Sequence, residues 1–244
     1  MPRSVPTYVG GLDELLTEGI PEGNVVLVTG TPGALKTSFV YSILYHNARE
    51  GRKGLFISLE QGYRELASSM ARLGMDDLGD DRLLVVDVGR IRLELEEGEV
   101  KKDWMEILRR VILESVDTAG SSLLAIDSLD VLYGLGMLEH PRRELFHFFN
   151  FLRERRLTTF LISELPVGRQ ALSVHGEDFL ADGVFLLKHF EVGETEVQLR
   201  LRCVKMRRTA HETGYYALGF GDGGLCVTRV IARKQGYDLS RGGS

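Results

Sequence analysis

The segment "NVVLVTGTPGALKTSFVYSILYHNARE", residues 24–50, constrains this chain more than any other stretch. A β-branched apolar run ends at Gly30, a tight Gly/Pro loop follows, and Lys36-Thr37 opens a stretch with helical apolar spacing. Strand, loop and helix in that order is the setting of a phosphate-binding loop. The loop comprises Gly30, Thr31, Pro32, Gly33, Ala34, Leu35, Lys36, Thr37 and Ser38. Its backbone N–H groups are expected to converge on phosphates, helped by the positive end of the following helix. Lys36 is expected to reach the β- and γ-phosphates, and Thr37 to hold Mg²⁺. Leu35 stands where the pattern asks for glycine. A glycine there lets the backbone approach phosphate without a Cβ in the way, whereas leucine needs an allowed conformation and a route for its side chain. Gly33 supplies conformational freedom and Pro32 stiffens the turn, so triphosphate binding is expected to survive in weakened form.

Apolar runs and amphipathic stretches then alternate. "GLFISLE", "DRLLVVDV", "SSLLAID" and "TTFLISE" read as strands; "YRELASSMARLG", "KKDWMEILRRVILESVDTAG" and "PRRELFHFFNFLRERR" read as helices between them. Strands apolar throughout and separated by helices predict an α/β fold, mainly a parallel sheet with helices on both faces. After Asp182 the runs "GVFLLKHF", "EVQLRLRCVKM", "GYYALGF" and "GLCVTRV" alternate in polarity, which predicts a C-terminal antiparallel extension. With no internal repeat and no linker, residues 1–232 read as one domain and 233–244 as a flexible polar tail; "ELEEGEVKKD" reads as a solvated loop.

Two acidic positions complete a candidate site. A magnesium-holding aspartate should follow a buried strand, and "SSLLAIDS" supplies Asp127, expected to act through a water in the metal's shell. Hydrolysis needs a base that positions water, and Glu60 ends the second strand, expected next to the loop strand; Gln61 is its polar neighbour.

Composition narrows the classes. A net charge of −5 argues against a general nucleic-acid role, since phosphate neutralisation needs a basic face. The N-terminus lacks an apolar signal core and no run approaches the roughly 20 residues that cross a bilayer, so a cytoplasmic location without membrane contact is expected. Cys203 and Cys226 lack metal spacing and read as buried structural thiols.

With these residues assembled, the chain resembles a KaiC-type member of the RecA-like P-loop ATPase superfamily, over nearly its whole length. "VGGLDELLTEGIPEGNVVLVTG" resembles that family's opening, "FISLEQGYRELASSMARLGMD" the segment after its catalytic glutamates, and "AIDSLDVLY" its Walker B strand; "GTPGALKTS" stands at its Walker A. "EDFLADGVFLL" and "VKMRRTAHETGYYALGFGDGG" resemble its C-terminal signature. The resemblance implies ATP and Mg²⁺ as ligands and a homo-oligomeric ring, expected as a hexamer. It also implies a trans-acting Lys-x-Arg, Lys205-Met206-Arg207, that reaches a neighbour's nucleotide, with Thr209, His211 and Asp222 lining the same boundary. A cation delivered by a neighbour neutralises developing charge and makes hydrolysis depend on assembly.

The departures shape the functional expectation. The family's paired glutamates are Glu60-Gln61 here, leaving one carboxylate as base. Asp178-Phe179 replaces the Ser-Thr pair of the clock protein's autophosphorylating half, and one ATPase module stands where that protein has two, so a clock role does not transfer. "LPVGRQALSVHGED", after the fifth strand, has Arg169 and His175 but little other positive charge, and Glu164 stands where recombinases carry a glutamine that couples nucleotide to DNA. The expectation is a slow Mg²⁺-dependent ATPase acting as a ring-forming regulatory module toward an unidentified protein partner. Two alternatives stay open: a degenerate nucleotide-binding or interaction module, and an accessory paralogue of DNA-repair recombinases.

Overall fold

Every residue of the loop-bearing strand is buried, and the reason lies in its neighbours. A computed structural model describes residues 3–17, 19–76, 82–89, 104–135, 140–166 and 171–230. Arg169, the stretch 94–103 and the tail 233–244 lie outside the described residues. After a short ladder of β1 (Ser4–Val5) with β2 (Ile20–Pro21), the chain enters β3 (Val25–Gly30), then β4 (Gly54–Ser58), β5 (Leu83–Asp87), β6 (Leu123–Asp127) and β7 (Thr158–Glu164). These run parallel with β8 (Gly183–Val192), which flanks β3 opposite β7. A strand with partners on both edges and helices on both faces has no solvent side, which is why β3 is apolar without alternation.

Antiparallel pairing begins after β8, through β9 (Glu196–Met206), β10 (Tyr215–Gly221) and β11 (Gly224–Arg229). Among the described residues the order across this sheet is β11-β10-β9-β8-β3-β7-β6-β4-β5. The parallel core with an antiparallel C-terminal extension is the architecture that the sequence pattern predicts. One expectation fails. β4 does not adjoin β3, because β7 and β6 are inserted between them.

Period-two side-chain alternation divides the core into two layers. Val26 and Val28 face one layer with Phe39, Val40, Ile43 and Leu44 of α2 (Lys36–Arg49) and Leu66 and Met70 of α3 (Tyr63–Ala71), and with Leu12 of the short α1 (Leu12–Leu15). Val25 and Leu27 face the other, with Leu108 and Ile112 of α4 (Trp104–Ala119), Leu129 and Leu132 of α5 (Leu129–Leu135), and Phe148, Phe149 and Leu152 of α6 (Pro141–Glu154). Each fully buried large side chain contributes about 1.5–3 kcal/mol relative to exposure. Helix α2 is thereby pinned under the sheet with its first turn at the C-terminal end of β3.

A last short helix, α7 (Glu177–Leu180), follows β7 and carries a buried carboxylate: Tyr133 donates its hydroxyl to Glu177 Oε1, and the His175 amide donates to Oε2 at 2.7 Å. Cys203 is buried and Cys226 half-buried, both as free thiols, so only the first matches the expected burial. No helix among the described residues is long and apolar enough to cross a membrane.

Candidate nucleotide site

The site starts from the one position where no side chain fits. A Cβ on Gly30 would lie 2.2 Å from the Leu187 carbonyl oxygen of β8, so glycine alone lets the loop leave the sheet here. The chain turns through Thr31 and Ala34, the Ala34 amide donating to the Thr31 carbonyl at 3.1 Å. Pro32 and Gly33 are exposed at the crest, Ala34 is buried beneath it, and the Thr31 hydroxyl lies 3.2 Å from His189 Nδ1. Leu35 then takes a left-handed conformation, φ 58° and ψ 25°, as the residue that caps α2. That torsion costs an L-residue about 1–2 kcal/mol and costs glycine nothing, which is the physical reason the pattern asks for glycine. The leucine side chain is half-buried and packs against the apolar cluster containing Val28, Phe39 and Phe185. Its route away from the loop therefore runs into the core.

The head of α2 is bare. Its cap makes no side-chain hydrogen bond, and among the described residues the amides of Leu35, Lys36, Thr37 and Ser38 have no acceptor in the protein. Four unpaired N–H groups at the positive end of a 14-residue helix suit an anion. Lys36 is almost fully buried: its ammonium donates to the carbonyls of Gly30 (3.2 Å) and Thr31 (3.0 Å) and forms an ion pair with Glu164 Oε1 at 2.7 Å.

Thr37 donates its hydroxyl to Asp127 Oδ2 at 2.7 Å, joining the helix head to the end of β6. Asp127 is buried, and burial pushes its carboxyl up to about 6; the charges of Glu60 and Glu164 push the same way, against the Thr37 hydrogen bond and Lys36. A hydroxyl and a carboxylate at this distance form a hard-oxygen donor set that fits Mg²⁺. Glu60 arrives by a route the sequence does not show. β4 pairs with β6 so that Ser58 lies opposite Asp127, and Glu60, exposed beyond the strand end, accepts a hydrogen bond from the Ser128 hydroxyl. Gln61 contributes its backbone carbonyl to Ser58 Oγ, at 2.6 Å.

The remaining predicted residues lie elsewhere. Lys205 and Arg207 sit where β9 ends, beside the start of β3: Gly183 pairs with Met206 and with Val26, and the Arg207 amide donates to the Asp182 carbonyl at 2.8 Å. Five residue steps of β3 separate that edge from Gly30, roughly 16 Å at 3.3 Å per step. Lys205 donates to the Asp178 carbonyl at 2.6 Å, and burial, with Arg207 nearby, lowers its pKa. Arg207 is half-exposed and pairs with Asp182 Oδ1 at 3.3 Å. Met206 is buried in the core, so its side chain is unavailable to a ligand. Thr209 donates to the Leu16 carbonyl at 2.8 Å, His211 is half-buried, and Asp222 is exposed in the turn between β10 and β11.

Two residues that the sequence reading left without these roles matter to this geometry. Glu164 occupies Lys36. Asp182, which accepts from the Val25 amide at 3.1 Å and pairs with Arg153 at 2.9 Å, fixes Arg207. Burial pushes the Asp182 carboxyl up, but Arg153, Val25 and Arg207 more than offset this, leaving it below the usual range. The sequence signal for Glu164 is a carboxylate ending an apolar strand; Asp182 carries none.

Comparison with known proteins supports the fold. The family described as "ATPase: KaiC" matches residues 5–230. A UPF0273 protein of Aeropyrum pernix is 30% identical over 231 residues, covering 91% of this chain and 92% of that protein. The circadian clock protein KaiC2 of Synechocystis is 25% identical, with 97% of this chain aligned to 42% of that protein. The crystal structure of a KaiC-like protein from Pyrococcus horikoshii superposes with a TM-score of 0.80 at 30% identity, covering 94% of this chain and 100% of that one. A RecA-like α/β sheet, a bare helix head at a P-loop, and a family match over nearly the entire length lead to one assignment: this chain belongs to the KaiC ATPase family.

Proposed function

We propose that the chain binds ATP with Mg²⁺ and hydrolyses it slowly, as a ring-forming module whose nucleotide state is read by a protein partner. The observation that carries this reading is the Thr37–Asp127 hydrogen bond, which brings the loop, the helix head and the acidic strand end to one place. The unpaired amides of Leu35 to Ser38 would receive phosphate oxygens, and Lys36 would neutralise them. Thr37 and Asp127 would hold Mg²⁺, which, when bound, would supply charge neutralisation to the phosphates. Glu60 would orient the attacking water and take its proton, its carboxylate steered by Ser128. Slow turnover follows from a single carboxylate at this position, with Gln61 contributing only a backbone carbonyl.

The ring reading rests on the opposite placement of the cations. Along the strand direction Arg207 is level with the start of β3, about 16 Å from Gly30, and Lys205 is level with Leu27, about 10 Å from it, both with β8 in between, so they serve a nucleotide only if a second protomer presents its own. A KaiC-like hexamer would satisfy that. The negative net charge of −5 disfavours the DNA-repair alternative. Steady-state phosphate release with ATP and Mg²⁺ tests the assignment. Glu60→Gln is expected to lower turnover about 10²-fold or more while retaining nucleotide, and Lys36→Ala to abolish both. Turnover unchanged in both variants removes the enzymatic reading.

A further inference from the structure

The Lys36 ammonium has three protons, and the structure uses all of them: on the Gly30 carbonyl, on the Thr31 carbonyl, and on Glu164. Two of these acceptors belong to the main chain of the loop and cannot move without dismantling it. The third is a side chain. With the ammonium held in place by the two carbonyls, a phosphate oxygen that claims its third proton displaces the carboxylate.

Glu164 is built to leave. It ends β7 in register with Gly30 of β3, and its main chain is anchored by its own amide, which donates to Asp130 Oδ2 at 2.7 Å. The side chain is 40% exposed, so rotation about its own bonds opens a path to solvent while the backbone stays fixed. The pair is also imperfect. Glu164 Oε2 is buried and has no hydrogen-bond partner among the described residues, a costly state for a charged oxygen. The carboxylate thus sits where an anion is wanted, holds the lysine with one oxygen, and leaves the other unsatisfied.

We propose that Glu164 is an internal stand-in for phosphate: it occupies Lys36 in the nucleotide-free protein and must swing out before a nucleoside polyphosphate can bind. The inference rests on the nucleotide-binding reading above. It makes Glu164 a positioning residue that acts through Lys36 and sets the affinity threshold of the loop. The effect on binding has an unusual sign. Removing an ordinary structural ion pair weakens a site, whereas removing an occupant strengthens it. If the pair is closed about nine-tenths of the time, apparent affinity is reduced about tenfold, since it scales with the open fraction. Repulsion between the carboxylate and the phosphates adds in the same direction.

Glu164→Gln keeps the shape and leaves Lys36 a neutral acceptor. Glu22→Gln is the matched control, because Glu22 forms an ion pair of the same 2.7 Å length with Arg52, away from the loop. The measurement is calorimetric titration of the full chain with ATP in EDTA, so that metal binding does not enter. Glu164→Gln is expected to bind about tenfold tighter than the parent, with a lower melting temperature in the absence of ligand, and Glu22→Gln to bind as the parent does. Opposite signs for affinity and stability are what a merely structural role cannot produce. Glu164→Asp, whose shorter arm loosens the pair while retaining charge, is expected to tighten binding to a smaller degree, and it carries the test if the glutamine variant does not fold. Equal or weaker binding by the Glu164 variants, with the parent binding ATP, overturns the stand-in role and leaves the nucleotide reading intact. No binding by the parent or any variant, in EDTA and again with Mg²⁺ supplied, overturns the nucleotide reading, and the stand-in role with it.

Discussion

Leu35 offers a measurement in which two small effects of opposite sign separate cleanly. Its backbone is left-handed, at φ 58° and ψ 25°, and its side chain packs half-buried against the core layer under α2. Leu35→Ala removes the packing, worth about 1 kcal/mol for a half-buried leucine, and keeps the torsional cost of an L-residue. Leu35→Gly removes the same packing and relieves that cost, about 1–2 kcal/mol, less about 0.5–1 kcal/mol for the greater freedom of glycine in the unfolded chain. The alanine variant should then be about 1 kcal/mol less stable than the parent, and the glycine variant should exceed alanine by about 0.5–1 kcal/mol. Alanine normally exceeds glycine by about that amount inside a helix, so the order is inverted. Urea unfolding midpoints at equal m-values read the difference. Because the side chain already points into the core, nucleotide affinity should change little in either variant. An alanine variant as stable as the glycine one would refute the torsional account, and a large gain in affinity for Leu35→Gly would show that the side chain obstructs the loop after all.

Gly30→Ala forces a Cβ to within 2.2 Å of the Leu187 carbonyl oxygen, so β3 and β8 must part; a loss of roughly 3 kcal/mol is expected by urea unfolding, and a loss under about 1 kcal/mol would contradict the packing. Asp182→Asn should cost about 2 kcal/mol at pH 7, less than for a fully buried pair because Arg207 is half-exposed. Since the folded carboxyl titrates below its unfolded value, its stabilisation is present above about pH 4 and is lost as pH falls through the folded value, so variant and parent should converge in acid. Asp127 behaves oppositely. Its rise from 3.8 to about 6 means that the folded state holds its proton more tightly, so the stability tied to that proton is lost as pH rises through 6. Asp127→Asn should stabilise the metal-free protein at pH 8, by roughly 3 kcal/mol at most, with the gain vanishing toward pH 4; no gain at pH 8 would refute the burial cost.

Much of the fold is legible because parallel strands with both faces covered leave uninterrupted apolar runs, as in "NVVLVT" and "SSLLAID". The alternation after Asp182 separates β9, β10 and β11 from them for the same reason in reverse: a sheet flank partly open to water carries polar residues at every second position. Strand order is not legible in this way. Nothing in "GLFISLE" records that two later strands enter between it and "NVVLVT", since local periodicity carries no lateral information. Short helices such as Leu12–Leu15 and Glu177–Leu180 escape because four residues do not complete a period worth detecting. At the site, Lys36, Thr37 and Asp127 are readable from the loop pattern and the strand end, whereas the partners of Lys36 and Arg207 depend on contacts across strands far apart in the chain.

The lateral order of the sheet has a consequence for how such a site can change. Four adjacent strands, β3, β7, β6 and β4, end at one edge and deliver in turn Lys36, Glu164, Asp127 and Glu60, like the teeth of a comb. Neighbouring strands stand about 4.8 Å apart, so each chemical part is assigned by its tooth rather than by its place along the chain. A substitution at one tooth is felt by its neighbours, as Glu164 is by Lys36 and Asp127. Losing a tooth shifts every part beyond it by one spacing, farther than a hydrogen bond can stretch.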